Sequence, residues 1–147
     1  KRKKGSITYY SKGSRAVSGK LASIECDVLI TAAVPNFINE SNYRFVKAPI
    51  LVEGSNIPMP VQIEQNLFER GITVVPDFVA NAGGVISSYV EYIGKGEKSM
   101  FKLVEQKISK NTKIVLEQSK ETGKSPRECA LEIAKKRVRQ KCEICRK

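Results

Sequence analysis

Three short apolar runs recur at near-equal spacing: 26–30 (CDVLI), 50–52 (ILV) and 72–75 (ITVV), with starts 24 and 22 residues apart. They are continuous rather than alternating, the pattern of strands buried on both faces. Between the first two lies 39–46 (NESNYRFV), expected to form a short helix. Between the second and third lies 61–70, where Ile63, Leu67 and Arg70 follow helical spacing and Gly71 is placed to end the helix. Strands alternating with helices over short links predict a parallel sheet with right-handed crossovers. A further strand is expected at 7–10 (ITYY).

Beyond the third run the pattern becomes helical. In 81–94 the stripe is Val85, Ser88/Tyr89 and Tyr92/Ile93, and Asn81 is placed to cap it. Phe101, Val104, Ile108 and Val115 predict a long helix over about 97–120, closed near Gly123. Ser125-Pro126-Arg127-Glu128 reads as a capping box with Pro at the first helical position. The final helix is expected to run on Ala130, Ile133/Ala134, Val138 and Cys142/Cys145. The fold class is therefore α/β: part of a Rossmann-like parallel sheet over 1–96, followed by a C-terminal helical pair over 97–147.

Composition narrows the function. At 147 residues and 41% hydrophobic, the chain is long enough to bury a core without disulfide or metal staples. No apolar run approaches the ~20 residues that span a bilayer, so no membrane association is expected. No signal peptide is visible, and a first residue other than Met suggests a piece of a longer, cytoplasmic protein. Histidine is absent, which removes Ser-His and Cys-His catalysis and His-ligated metals. Cys142 and Cys145 form a lone C-x-x-C with no second ligand pair, so the four cysteines are expected to be reduced, small hydrophobes.

Charge is uneven. Residues 1–20 carry seven Lys/Arg and no acid, 21–97 four bases and nine acids, and 98–147 fifteen bases and six acids. Such ends fit nucleic-acid binding or solvated helix faces. No aromatic residues interleave with the C-terminal bases to stack on bases, which favours the second reading.

In an open parallel sheet, ligands bind beyond the C-terminal ends of the strands. The three runs are followed by Thr31-Ala32-Ala33, by Glu53-Gly54-Ser55-Asn56, and by Pro76-Asp77 with Asn81-Ala82-Gly83-Gly84. These residues are small or amide-bearing. They would let a flat ligand approach the backbone and be oriented by amide hydrogen bonds, and Asn-Ala-Gly-Gly opens a helix at its positive end. Each Asn alone also suits a turn or cap. The Gly-rich stretch 13–21 is not a phosphate loop, because five residues separate its glycines and Leu21 follows Lys20.

The segments 25–33 (ECDVLITAA), 53–56 (EGSN) and 75–85 (VPDFVANAGGV), with Ser88-Tyr89 and Glu91-Tyr92, resemble the glutamate/leucine/phenylalanine/valine dehydrogenase family, in order and at its spacing. The resemblance runs from about Gly5 to the C terminus. It implies the second half of a dinucleotide-binding domain, NAD or NADP as cofactor, and oxidative deamination of an amino acid. Ala32 and Ala33 would lie beside the dinucleotide, with Thr31 where the family has Pro. Asn56 would bond the ribose or nicotinamide end. Asn81 would hold the nicotinamide amide and face the substrate. Gly83 and Gly84 would permit close approach, and Val85 would line the substrate pocket. Ser88 falls where glutamate-specific members bond the substrate's side-chain carboxylate, which tilts the substrate toward L-glutamate, with 2-oxoglutarate and ammonia as products.

The Gly-rich pyrophosphate turn and the catalytic Lys and Asp of a preceding substrate domain do not occur in this sequence. The resemblance therefore implies a cofactor-binding fragment, inactive alone and part of a homo-oligomer. The alternative is an inactive remnant acting as a basic nucleic-acid-binding module.

Overall fold

A computed structural model describes residues 18–142. The 7–10 strand, the basic first residues, most of the 13–21 loop and Cys145 lie outside them. After a four-residue turn of helix, α1 (Ser18–Leu21), the chain forms β1 (Val28–Thr31), β2 (Ile50–Glu53) and β3 (Thr73–Val75). The strands are parallel in the order β1-β2-β3, with Val28 beside Ile50 and Ile50 beside Thr73.

Strand alternation sorts the side chains onto two faces. Leu29, Leu51 and Val74 share a row and pack into a cluster with Ile38, Met59, Ile63 and Leu67. Ile63 and Leu67 come from α2 (Val61–Glu69), whose i, i+4 spacing lays them on this face. Gly71, at φ +83°, ends that helix as expected. The other row is Ile30, Val52 and Val75. Val75 and Val52 are covered by Val79 of α3 (Asp77–Ala80), Val115 of α5 (Glu97–Thr122), and Cys129 and Ala130 of α6 (Pro126–Lys141). Burial on both faces thus holds for β3 but not for β1. Val28 and Ile30 are 45% and 62% exposed, because α5 and α6 cover only the β3 side.

The segment 39–46 is not the expected helix. Only Tyr43–Phe45 makes a 3₁₀ turn. The Asn42 carboxamide accepts from the Asn39 backbone N–H and donates to the Phe37 carbonyl, while Asn39 Oδ1 accepts from Ser41 N–H. Such side-chain bonds offer the backbone partners that compete with a helical ladder. Arg70 then donates to the Tyr43 and Val46 carbonyls, tying the turn to the end of α2.

In the C-terminal pair, α5 ends at Gly123 in the left-handed conformation. The capping box of Ser125 and Glu128, with Pro126 in the first turn, is present as expected. The anticipated stripes are shorter than the helices. Phe101 and Val138 are exposed, so burial on α5 centres on Val115 and that on α6 fades beyond Ala134. Cys142 is the C-cap of α6 with extended backbone, not part of a continuing helix. Cys129 alone of the cysteines is wholly buried among the described residues. No helix there is long and apolar enough to cross a membrane.

Candidate functional site

The three strand ends deliver their loops to one edge of the sheet. After β1 the chain turns through Ala32 and Ala33, both exposed. After β2 it passes under that turn at Gly54. A Cβ on Gly54 would stand 2.9 Å from the Ala32 Cβ, so only glycine fits without displacement. Ser55 N–H donates to the Thr31 carbonyl at 2.8 Å, and Thr31 Oγ1 donates to the Val52 carbonyl at 3.4 Å. Thr31 thus pins the turn to its neighbour. Gly54→Ala should cost about 1–3 kcal/mol, read as a lower denaturation midpoint, because the clash lies against backbone-anchored atoms. An unchanged midpoint would mean that the two loops part freely.

The Asn56 and Asn81 side chains meet at this edge, with Asn81 Nδ2 donating to Asn56 Oδ1 at 2.7 Å. Asn81 is not the cap of α4 (Gly83–Tyr92). It ends α3, while Ala82 occupies the cap position with no side-chain bond. Freed from capping, its amide turns to Asn56. Neither side chain has another hydrogen bond among the described residues. The pair therefore presents the Asn56 NH₂ as donor and the Asn81 carbonyl as acceptor, complementary to another carboxamide.

The first turn of α4 follows. A Cβ at Gly83 would lie 3.3 Å from Val104 of α5, so this glycine serves helix packing. Nothing lies within 4 Å of a Cβ at Gly84, which leaves open space there. Val85, Tyr89 and Tyr92 form an outward stripe, 76%, 56% and 88% exposed. Ser88 is on that exposed face, and its hydroxyl donates to the Gly84 carbonyl of its own helix at 3.2 Å. The sheet edge thus unites Ala32, Gly54, Asn56 and Asn81. No hydrogen bond among the described residues links Val85 or Ser88 to the amide pair.

Beneath the edge lies a cluster that carried no role in the sequence reading. Arg127, at the start of α6, is ion-paired through Nε to Glu64 of α2. Its Nη2 reaches Glu53 at the end of β2 at 2.7 Å and Asp77 at the start of α3 at 3.0 Å. The Phe78 ring lies 5.3 Å from the guanidinium carbon. Glu53 also accepts from Asp77 N–H at 2.8 Å. Both Glu53 and Glu64 are buried, and the Oε1 atom of each has no hydrogen-bond partner among the described residues. Three carboxylates against one guanidinium leave excess negative charge out of water. Burial, then the nearby Glu64, push Glu53 up to about 7. Burial also raises Glu64, against the pull of Arg127. For Asp77, burial is outweighed by the Ile57 N–H, Arg127 and the Phe78 N–H, and its pKa is lowered. One sequence signal was available: Glu64 is a charged residue beside Ile63 on the inward face of α2. The described residues contain no acid or thiol group arranged to hold a metal ion.

This arrangement can orient a flat, amide-bearing ligand. Among the described residues no acidic or basic side chain hydrogen-bonds to the Asn56–Asn81 pair. Known proteins with the same architecture give it a family. The model for Glutamate/Leucine/Phenylalanine/Valine dehydrogenase matches residues 1–144. The glutamate dehydrogenase of Aeropyrum pernix is 33% identical over 148 residues, covering 94% of this chain and 35% of the relative. The NADP-specific glutamate dehydrogenase of Saccharolobus shibatae is 46% identical over 88 residues, 60% of this chain and 21% of that one. Among solved structures, L-tryptophan dehydrogenase from Nostoc punctiforme superposes with a TM-score of 0.77 at 30% identity, over 83% of this chain and 37% of that one. The chain thus spans about a fifth to a third of the curated relatives it matches. With the family model matching nearly the whole sequence, and the motifs and parallel sheet lying within it, the chain belongs to the glutamate/leucine/phenylalanine/valine dehydrogenase family.

Proposed function

We propose that this chain forms the nicotinamide-side half of the Rossmann-like coenzyme domain of an NAD(P)-dependent glutamate dehydrogenase. Residues 1–96 would form the coenzyme-binding part and 97–147 its helical support. The observation that carries the reading is the Asn56–Asn81 pair, at the sheet edge where a dinucleotide would end. Its free donor and acceptor match the carboxamide of nicotinamide. The Gly54–Ala32 contact and the open space at Gly84 leave room for a flat ring. Relatives named NADP-specific and NAD-specific support either coenzyme.

The bound coenzyme would supply the hydride acceptor or donor. Asn81 and Asn56 would fix the amide, and Ala32, Ala33, Gly83 and Gly84 would line the approach. Val85 and Ser88 would face the substrate, with the Ser88 hydroxyl turning from the Gly84 carbonyl to the side-chain carboxylate of L-glutamate. The groups that move the amine proton would come from a preceding substrate domain, so the 147 residues alone would not turn over. The full-length enzyme would be a homo-oligomer. The enzyme would work in the cytoplasm, where Cys26 and Cys129 would stay reduced.

Asn81→Ala tests the reading in the enzyme that contains these residues. Losing one or two well-placed hydrogen bonds should raise the KM for NADH or NADPH about ten- to thirtyfold. An unchanged KM for both coenzymes would remove Asn81 from the coenzyme site.

A further inference from the structure

The buried cluster under the sheet edge has no part in the coenzyme reading so far, yet it is joined to the amide pair by a short chain of bonds. We propose that Arg127 is a positioning residue for the coenzyme amide, holding Asn56 in place through the Asp77 carboxylate and the Ile57 backbone N–H. The proposal rests on the reading of Asn56 as a coenzyme ligand.

The loop that carries Asn56 does not hold its shape by local preference. Ile57, directly after it, sits at φ +48°, a left-handed conformation that a β-branched residue disfavours. Two bonds hold it there. Ile57 N–H donates to Asp77 Oδ2 at 3.0 Å, and the Ile57 carbonyl accepts from Asn36 N–H at 3.0 Å. Asn36 itself is left-handed, at φ +51°. The Asp77 carboxylate is thus the side-chain anchor of Ile57, beside the backbone bond to Asn36.

That carboxylate has both oxygens engaged. Oδ2 takes the Ile57 N–H, while Oδ1 takes Phe78 N–H at 2.9 Å and Arg127 Nη2 at 3.0 Å. Arg127 is held on several sides. Its Nε is bonded to Glu64, its Nη2 also to Glu53, and Phe78 lies against its face. A planar guanidinium serves several carboxylates at fixed angles, whereas a lysine ammonium is a point charge on a flexible stem. The first turn of α6 thereby reaches the ends of β2, α2 and α3 together, and fixes the angle at which Asp77 meets the loop.

Arg127→Lys separates positioning from bulk stability because it keeps the charge and loses the fork. The experiment compares amide hydrogen exchange and coenzyme kinetics in the complete enzyme, with NADH and NADPH as the probes. Exchange at Ile57 should speed up about tenfold or more, while exchange at Leu51 and Val74 in the sheet stays unchanged. The coenzyme KM should rise about tenfold with kcat changed by less than about threefold. If Arg127→Lys does not fold, Asp77→Asn breaks the same relay one link later and is read in the same way. Unchanged Ile57 exchange in a folded variant overturns the proposal, as does faster exchange with an unchanged coenzyme KM. Failure of the unmodified enzyme to bind NADH or NADPH overturns the coenzyme reading beneath it, and only that outcome is visible without any substitution.

Discussion

Arg127→Met should cost the folded chain about 3–5 kcal/mol, the range for removing one partner of a buried ion cluster. Methionine matches much of the arginine stem, so the loss is one of charge rather than volume. Glu53 and Glu64 are buried, and Asp77 is only 14% exposed at its side chain. Without the guanidinium these three acids face one another with no cation among them, and two of their oxygens already lack hydrogen-bond partners among the described residues. They must then bind protons or admit water. The loss should therefore shrink at pH 5, where protons replace the missing cation. Urea unfolding at pH 5 and pH 7 measures both values. A loss below about 1 kcal/mol at pH 7 would mean that the acids are already neutral in the native chain. Replacing Glu53 and Glu64 by Gln in the same background should restore much of the stability.

The second large effect is a decline of stability with rising pH. Glu53 is raised from 4.5 to about 7 in the folded chain. The folded state thus holds a proton that the unfolded chain gives up at lower pH. Folding is favoured most below about pH 4.5, and the advantage drains away as pH climbs through the folded value near 7. At 1.36 kcal/mol per unit this amounts to at most about 3 kcal/mol between those limits. Glu64 is also raised and acts in the same direction. Asp77 acts oppositely: its pKa is lowered, so its contribution is kept above the ordinary 3.8 and lost as acid protonates it. The stability maximum should fall between these limbs, near pH 4 to 5, on the acid side of neutrality. Glu53→Gln should flatten the falling limb and leave the chain more stable than the unmodified one at pH 8. A wild-type curve already flat from pH 5 to 8 would show that Glu53 stays ionised throughout.

Features set by neighbouring residues were legible in the sequence. The three strands show as short continuous apolar runs, and α2 with its Gly71 terminator and the Ser125–Glu128 box depend on residues a few positions apart; all of them appear. Asn56 and Asn81 were legible as residues of the loops beyond β2 and β3, but the bond between their side chains was not. The 39–46 segment, expected as a helix between two strands, forms only a short turn because the Asn39 and Asn42 side chains capture the backbone. The Val85–Tyr92 stripe gave the right period but could not say which way it faced. Arg127 was hidden for another reason. Its partners lie 50, 63 and 74 positions away, and its short-range neighbours already explained it as part of a capped helix start.

The contact between Gly54 and Ala32 also has a consequence for how this family's sequences can drift. The two positions lie on different loops, yet they share one small volume. Position 54 cannot gain a Cβ while position 32 keeps its own. A methyl at position 54 becomes tolerable only after position 32 has shrunk to glycine, and the reverse order passes through a strained intermediate. Relatives that carry a side chain at 54 should therefore carry glycine at 32, and the two positions should change as a pair, in that order.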